Sequence, residues 1–333
     1  MHILLKKDKE KGTGEKMFIP ILLLLLGFTF LIKGADIFVD GASSTATNFK
    51  VSKVLIGLTI VAFGTSAPEL AISMNALANG SADMVLGNVI GSNITNSLLI
   101  LGVAVVIRKL VVKKNTIKKE LPLHMLITGI FAVLFLDNEI NGMTPNMISR
   151  SDALAILLIF SVFLYYLISI SRDKIDEDRE PAKYPLLKSI LFVILGLIGI
   201  IFGSDLVVDN ATLIAQNLGI SERVISLTIV AFGTSLPELV TAIVSSIKKE
   251  HDILVGNIIG SNIFNICIVL GLPVALYGNL IPSTFQIIDV IFILLSSIIL
   301  YIVPKVREYR ISRRSGICLI LIYFIYYTLV FVL

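Results

Sequence analysis

The chain has 333 residues, 56% of them hydrophobic and only 16% charged, with a mean hydropathy of +0.91, which excludes an ordinary soluble domain or pair of domains. The net charge of +4 does not point to nucleic acid, because the basic residues cluster between apolar runs and read as topology signals. Cys267 and Cys318 lie in apolar segments without a CxxC partner, so neither a disulfide framework nor a zinc site is indicated.

The expected fold class is an all-α polytopic membrane protein whose main partner is the lipid bilayer. A hydrocarbon core of ~30 Å takes ~20 mostly apolar helical residues per crossing. A polar tail over 1–16 precedes the first span, 17–38, which is too long and lacks a clean cleavage site for a signal peptide. Asp36 and Asp40 near its end read as interfacial caps, as do Asp205 and Asp209 near the end of the sixth span. The second span, 52–79, is interrupted by Gly and Pro, which marks a break in a membrane helix. The third is 84–106, with Asp83 as its N-cap. The fourth, 121–137, is opened by Glu120 and carries His124 as a packed or interfacial histidine. The fifth, 152–171, completes a first five-helix unit, 17–171. A mixed-charge linker, 172–185, leads to a second unit, 186–333. Its spans are 186–208, 221–247 (again broken by Gly and Pro), 253–275 with Asp252 as N-cap, 286–304 opened by Asp289, and 315–333.

If the N-terminus marks one side, the opposite side collects 20 basic residues: Lys50, Lys53, the 108–119 loop, the 172–183 run with Lys188, Lys248, Lys249 and the 305–314 loop. The N-terminal side has only Arg150 and Arg223 between spans, besides five Lys in the tail. The positive-inside bias makes the basic side cytoplasmic and places both termini outside a cell membrane.

An internal repeat organises the chain. Residues 34–102 align with 203–271 at a constant offset of 169, without a gap, with 32 of 69 positions identical. Five spans separate equivalent points, and five is odd, so the second copy threads the membrane in the opposite sense. Inverted repeats of this kind are expected of secondary transporters, with the substrate site near the midplane where the repeats meet.

Two clusters hold most of the identity. The first is GTSxPE, at Gly64–Glu69 and Gly233–Glu238; the second is GNxIGSNIxN, at Gly87–Asn96 and Gly256–Asn265. Thr65 and Ser66 lie four and three residues before Glu69, so on a helix their oxygens can share its face. Pro68 lacks an N–H, which frees the Gly64 carbonyl from its helical donor. The carbonyls of Ala62 to Thr65 can then point elsewhere, at a half-helix end whose dipole suits a cation. Asn88, Ser92 and Asn96 recur at intervals of four, as do Asn257, Ser261 and Asn265. Two facing copies could supply two Glu and enough neutral oxygens for the six to eight ligands of Ca²⁺. With no His or Cys in the clusters, softer metals are disfavoured. The Gly-x-x-x-Gly pairs 87/91 and 256/260 are also expected to let helices approach closely. A carboxyl at bilayer depth costs ~2.5 kcal/mol or more, so the duplicated Glu points to function.

GTSAPE with GNVIGSNITN, and GTSLPE with GNIIGSNIFN, resemble the two alpha-repeats of the calcium/cation antiporter superfamily, most closely its prokaryotic sodium/calcium exchangers. The resemblance implies ten helices in inverted five-helix halves, and antiport of Na⁺ against Ca²⁺ by alternating access, with no cofactor. It further implies that Glu69, Thr65, Ser66, Ser92, Asn96 and the Ala62 carbonyl bind ions. Glu238, Thr234, Ser235, Ser261 and the Ala231 carbonyl take the same roles in the second copy. Asn265 departs from the Asp that exchangers of this family often carry. With both Glu ionised the site is −2, which one Ca²⁺ or two Na⁺ neutralises, so Asn265 leaves the ratio open together with coupling to K⁺ or H⁺. A cation channel is a weaker alternative, since a symmetric ring of charges needs one motif per chain. An intramembrane hydrolase finds no Ser-His pair or GxSxG elbow here. Calcium extrusion driven by inward sodium is the expected direction.

Overall fold

The computed structural model describes residues 2–136, 139–140, 142, 146–171, 181–220, 231–283, 286–306 and 308–332. It is built of helices, in chain order α1 (His2–Asn48), α2 (Lys53–Thr65), α3 (Ala67–Ala78), α4 (Ala82–Ile107), α5 (Lys114–Lys118), α6 (Glu120–Phe135) and α7 (Arg150–Ser171). There follow α8 (Leu186–Asn217), α9 (Ala231–Gly233), α10 (Leu236–Ile247), α11 (His251–Tyr277), α12 (Ile287–Val306) and α13 (Arg313–Val332). One small exception to the all-α expectation is a two-residue antiparallel ladder, β1 (Leu110–Val111) with β2 (Arg310–Ile311), which ties two of the basic loops together.

Among the described residues seven helices are long and apolar enough to cross a membrane, and the bent pair α2–α3 makes an eighth. The remaining two expected spans are the short α6, of 16 residues, and 221–247, whose first ten residues lie outside the described residues. The first and sixth spans are longer than the apolar runs implied. α1 extends backwards through the tail and forwards to Asn48, and α8 reaches Asn217. Polar residues therefore sit inside helices where the sequence reading placed ends. Asp36 and Asp40 are mid-helix and pair with lysines instead of capping. Asp83 and Asp252 are not N-caps either: Ser81 and Glu250 hold those positions. Asp83 accepts from the Ser283 N–H at 2.9 Å and Asp252 pairs with Lys113 at 2.6 Å.

α4 and α11 form the centre, with 78% and 94% of their most apolar window buried, against 17% for α1 and 22% for α7. Leu158 and Leu187, 68% and 82% exposed, belong to the outer faces that a bilayer would solvate. α1 and α8 cross antiparallel along a glycine seam. A Cβ on Gly34 would meet backbone of Gly196 and Ile200 at 2.8–2.9 Å, and one on Gly203 would meet Leu31 N at 2.6 Å. Such contact is open only to residues without side chains.

Candidate functional site

The GTSxPE segments do what Pro requires of them. In the first copy the helix breaks at Ser66, whose ψ of 8° leaves the helical range, and α3 restarts at a 46° bend with Pro68 in its first turn. In the second, α10 restarts after Ser235 in the same way, with ψ of 4°. The carbonyl four residues before each Pro loses its helical donor. At Gly233 it accepts instead from Ser204 Oγ of α8, at 3.1 Å. The Ala62 carbonyl keeps its helical bond, accepting from Ser66 N–H at 3.0 Å.

Each break sets a Glu in the first turn of the following half-helix, where the positive dipole end favours a carboxylate. Ser-x-x-Glu at a helix start is also the pattern of a capping box, which would explain both residues without any ligand. The structure rules that out: neither Ser66 nor Ser235 makes a side-chain cap bond. Ser66 Oγ reaches across to the other copy and donates to Glu238 Oε1 at 2.9 Å. Glu69 and Glu238 are 1% and 2% exposed, and each keeps one oxygen without a partner among the described residues. Buried carboxylates are normally paired or bind a metal.

The GNxIGSNIxN segments surround these carboxylates with neutral groups. Asn257 Oδ1 accepts from Thr65 Oγ1 at 3.3 Å and from Ser261 Oγ at 3.4 Å, joining the two copies a second time. Asn88 Nδ2 donates to the Glu69 carbonyl at 3.0 Å and to Ser73 Oγ at 2.9 Å, which positions the α3 half-helix. Ser92 is buried on α4 beside this group. Asn96 and Asn265 are each 1% exposed; the oxygen of the first and both amide atoms of the second are unpartnered among the described residues. Ser235 is buried next to Glu238, and Thr234 lies in the turn before it. For Ala231 only its place in the short α9 is described.

Asn262 escaped the spacing argument. Its Oδ1 accepts from Asn96 Nδ2 at 3.1 Å while its own Nδ2 donates to Ser97 Oγ at 2.8 Å. Both motifs run into π-helical turns, Thr95–Ile100 and Asn265–Leu270. Asn96 and Ser97, the two partners of Asn262, lie in the first of these wider turns. The available signal was the duplication of Asn262 as Asn93.

Close approach of α2 to α11 completes the cradle. A Cβ on Gly260 would lie 2.7 Å from Ala62 Cβ and 2.8 Å from Leu58 Cα, and one on Gly256 2.6 Å from Val54 O. At Gly87 and Gly91 no described atom lies within 4 Å; 222–230, the equivalent of residues 53–61 of α2, lies outside the described residues. Elsewhere, His124 is a packed histidine, 2% exposed and contacting Ser297 Oγ at 3.3 Å. Glu120 and Asp289 accept from the hydroxyls of Tyr166 and Tyr326. Among the described residues no three His, Cys, Asp or Glu side chains are grouped so that they could hold a metal ion. The donor set is therefore two carboxylates among hydroxyl and amide oxygens, suited to a hard cation.

Comparison with known proteins agrees with this chemistry. The family model described as sodium/calcium exchanger protein matches residues 19–169 and 188–332. The chain is 36% identical over 323 residues to the putative antiporter CaxA of Alkalimonas amylolytica, covering 93% of this chain and 98% of that one. It is 31% identical over 348 residues to the sodium/calcium exchanger MaX1 of Methanosarcina acetivorans, covering 94% and 99%. Among solved structures, the sodium-calcium exchanger NCX_Mj soaked with 10 mM Na⁺ superposes with a TM-score of 0.81 at 32% identity, covering 93% of this chain and 98% of that one.

Proposed function

The chain belongs to the sodium/calcium exchanger protein family, a family of multi-pass cation/Ca²⁺ antiporters, and on that premise we propose that it exchanges Na⁺ for Ca²⁺ through one site shared by its two repeats. The observation that carries the reading is the Ser66–Glu238 bond between copies, beside two buried carboxylates that each keep an oxygen unpartnered among the described residues. The proposed ligands are Glu69, Thr65, Ser66, Ser92, Asn96 and the Ala62 carbonyl, with Glu238, Thr234, Ser235, Ser261, Asn265 and the Ala231 carbonyl. The names of the relatives, one a sodium/calcium exchanger, support Na⁺ as the counter-ion.

The architecture we propose has ten spans in two inverted units, 17–171 and 186–333, joined by the 172–185 linker after the 1–16 tail, with both termini outside and Ca²⁺ extrusion as the direction. The two Glu give the site a charge of −2, which one Ca²⁺ or two Na⁺ neutralises. Moving the empty dianionic site through an apolar barrier is costly, so only loaded sites cross and exchange is obligatory. The glycine seam packs α1 closely on α8, which supports movement of the two as one unit against the rest.

The test is ⁴⁵Ca²⁺ uptake into proteoliposomes under an outward Na⁺, K⁺ or H⁺ gradient. Uptake is expected with the Na⁺ gradient and not with the others. Equal uptake with K⁺ or H⁺ alone would overturn sodium coupling.

A further inference from the structure

Beyond the central site, α10 carries a second set of buried oxygens. Glu238, Thr241 and Ser245 are three and four residues apart and share one helix face. Thr241 and Ser245 are both 0% exposed, and their hydroxyls have no partner among the described residues. Hydroxyls in membrane helices ordinarily bond to a carbonyl one turn back, as those of Thr47, Thr59, Thr65 and Thr128 do here. The equivalent positions of α3 are Ile72 and Ala76, so the repeat does not impose them.

This line of oxygens runs from Glu238 toward the C-terminal end of α10, where Lys248 stops it. Lys248 Nζ lies 2.9 Å from Asp36 Oδ1 and 2.7 Å from Asp40 Oδ1 of α1, and donates to the Asp36 carbonyl at 2.6 Å. Beyond it lies a cavity of about 610 Å³ walled by Asp40, Ser43, Ser44, Thr47, Glu250 and Asp252 together with four lysines. Each of its carboxylates is neutralised: Asp40 by Lys183 at 2.6 Å, Glu250 by Lys53 at 2.8 Å and Asp252 by Lys113 at 2.6 Å. Among the described residues, the carboxylates that wall this cavity, and Asp36 beside Lys248, are all paired with lysines while Lys248 holds α1.

We propose that Thr241 and Ser245 line the cation's route between the central site and the face bearing the basic loops, and that Lys248, clamped on Asp36 and Asp40, plugs its mouth. The hydroxyls replace waters of a partly dehydrated Na⁺ or Ca²⁺ as it leaves Glu238. Movement of α1 along α10 withdraws Asp36 and Asp40 from Lys248 and offers their carboxylates to the ion. The identity of the ion rests on the antiport reading; the route does not.

Sided cysteine labelling tests the route. Ser245→Cys is placed in a Cys318→Ser background, with Lys114→Cys in a second protein as reporter of the basic face, and each is treated from one face at a time with an impermeant cationic methanethiosulfonate. Ser245→Cys is expected to react from the reporter's face alone, and about tenfold faster once Lys248→Met removes the two ion pairs. Reaction from the opposite face alone, no reaction with or without Lys248→Met, or a rate indifferent to Lys248→Met overturns the proposal. Thr241→Val in the otherwise native chain is a second arm: flux falls several-fold while Ca²⁺ binding stoichiometry holds, and unaltered flux overturns the route. Because labelling needs no Na⁺ gradient, sided labelling without Na⁺-driven flux sinks sodium coupling alone.

Discussion

Two residues carry most of the account, and they were legible because they are costly. A Glu inside an apolar run needs a reason, and its recurrence 169 residues later supplies a partner for it. The sequence could not show that Ser66 serves the opposite Glu instead of capping its own helix. Glu69→Gln or Glu238→Gln keeps the shape and removes the charge, and each is expected to lower Ca²⁺ flux by ~100-fold or more, beyond the losses typical of residues that only support a ligand. Flux within a few-fold of wild type in either variant would count against the shared site. Asn262 shows what spacing misses, since it lies one residue off the interval-of-four stripe. Asn262→Ala strands Asn96 and Ser97, and is expected to cost ~1–3 kcal/mol of stability. Thermal unfolding in detergent reads this; an unchanged midpoint would remove Asn262 from the network.

At the scale of elements, Pro68 and Pro237 announced the breaks, and the structure places each where the N–H is missing. Helix ends were less readable. Apolar runs mark where lipid is, not where hydrogen bonding stops, so α1 and α8 continue past Asp40 and Asp209 into polar sequence. The π turns left no trace in composition. The glycine pairs were visible, but only packing tells what Gly256 and Gly260 do. Gly260→Ala presses a methyl against Ala62 and the Leu58 backbone, and is expected to cost about 1–3 kcal/mol. Gly129→Ala in α6, with nothing described within 4 Å, is expected to be neutral or to stabilise by up to ~1 kcal/mol. Unfolding midpoints that rank the two variants the other way would contradict the α2–α11 contact.

For the whole molecule, the repeat told more than any single span, because its odd separation implies inversion. The structure joins loops in two sets. Ser283 and Asn279 meet Asp83 and Arg150 at one end, while β1, β2 and the Lys248 cluster gather at the other. Cysteines at Lys114 and Arg310 are accordingly expected to label from one face of sealed vesicles, and cysteines at Asn79 and Asn279 from the other. Any exchange between those sets would break the inverted arrangement.

The proposed inversion has one consequence that no single half can imitate: the two halves are expected to make one site, not two. Equilibrium Ca²⁺ binding to the purified chain tests this most directly, with wild type compared against Glu69→Gln and Glu238→Gln. One Ca²⁺ per chain is expected, and its high-affinity binding is lost in both single variants. Two Ca²⁺ per wild-type chain, or one retained at unaltered affinity by either variant, would contradict a site shared between the repeats.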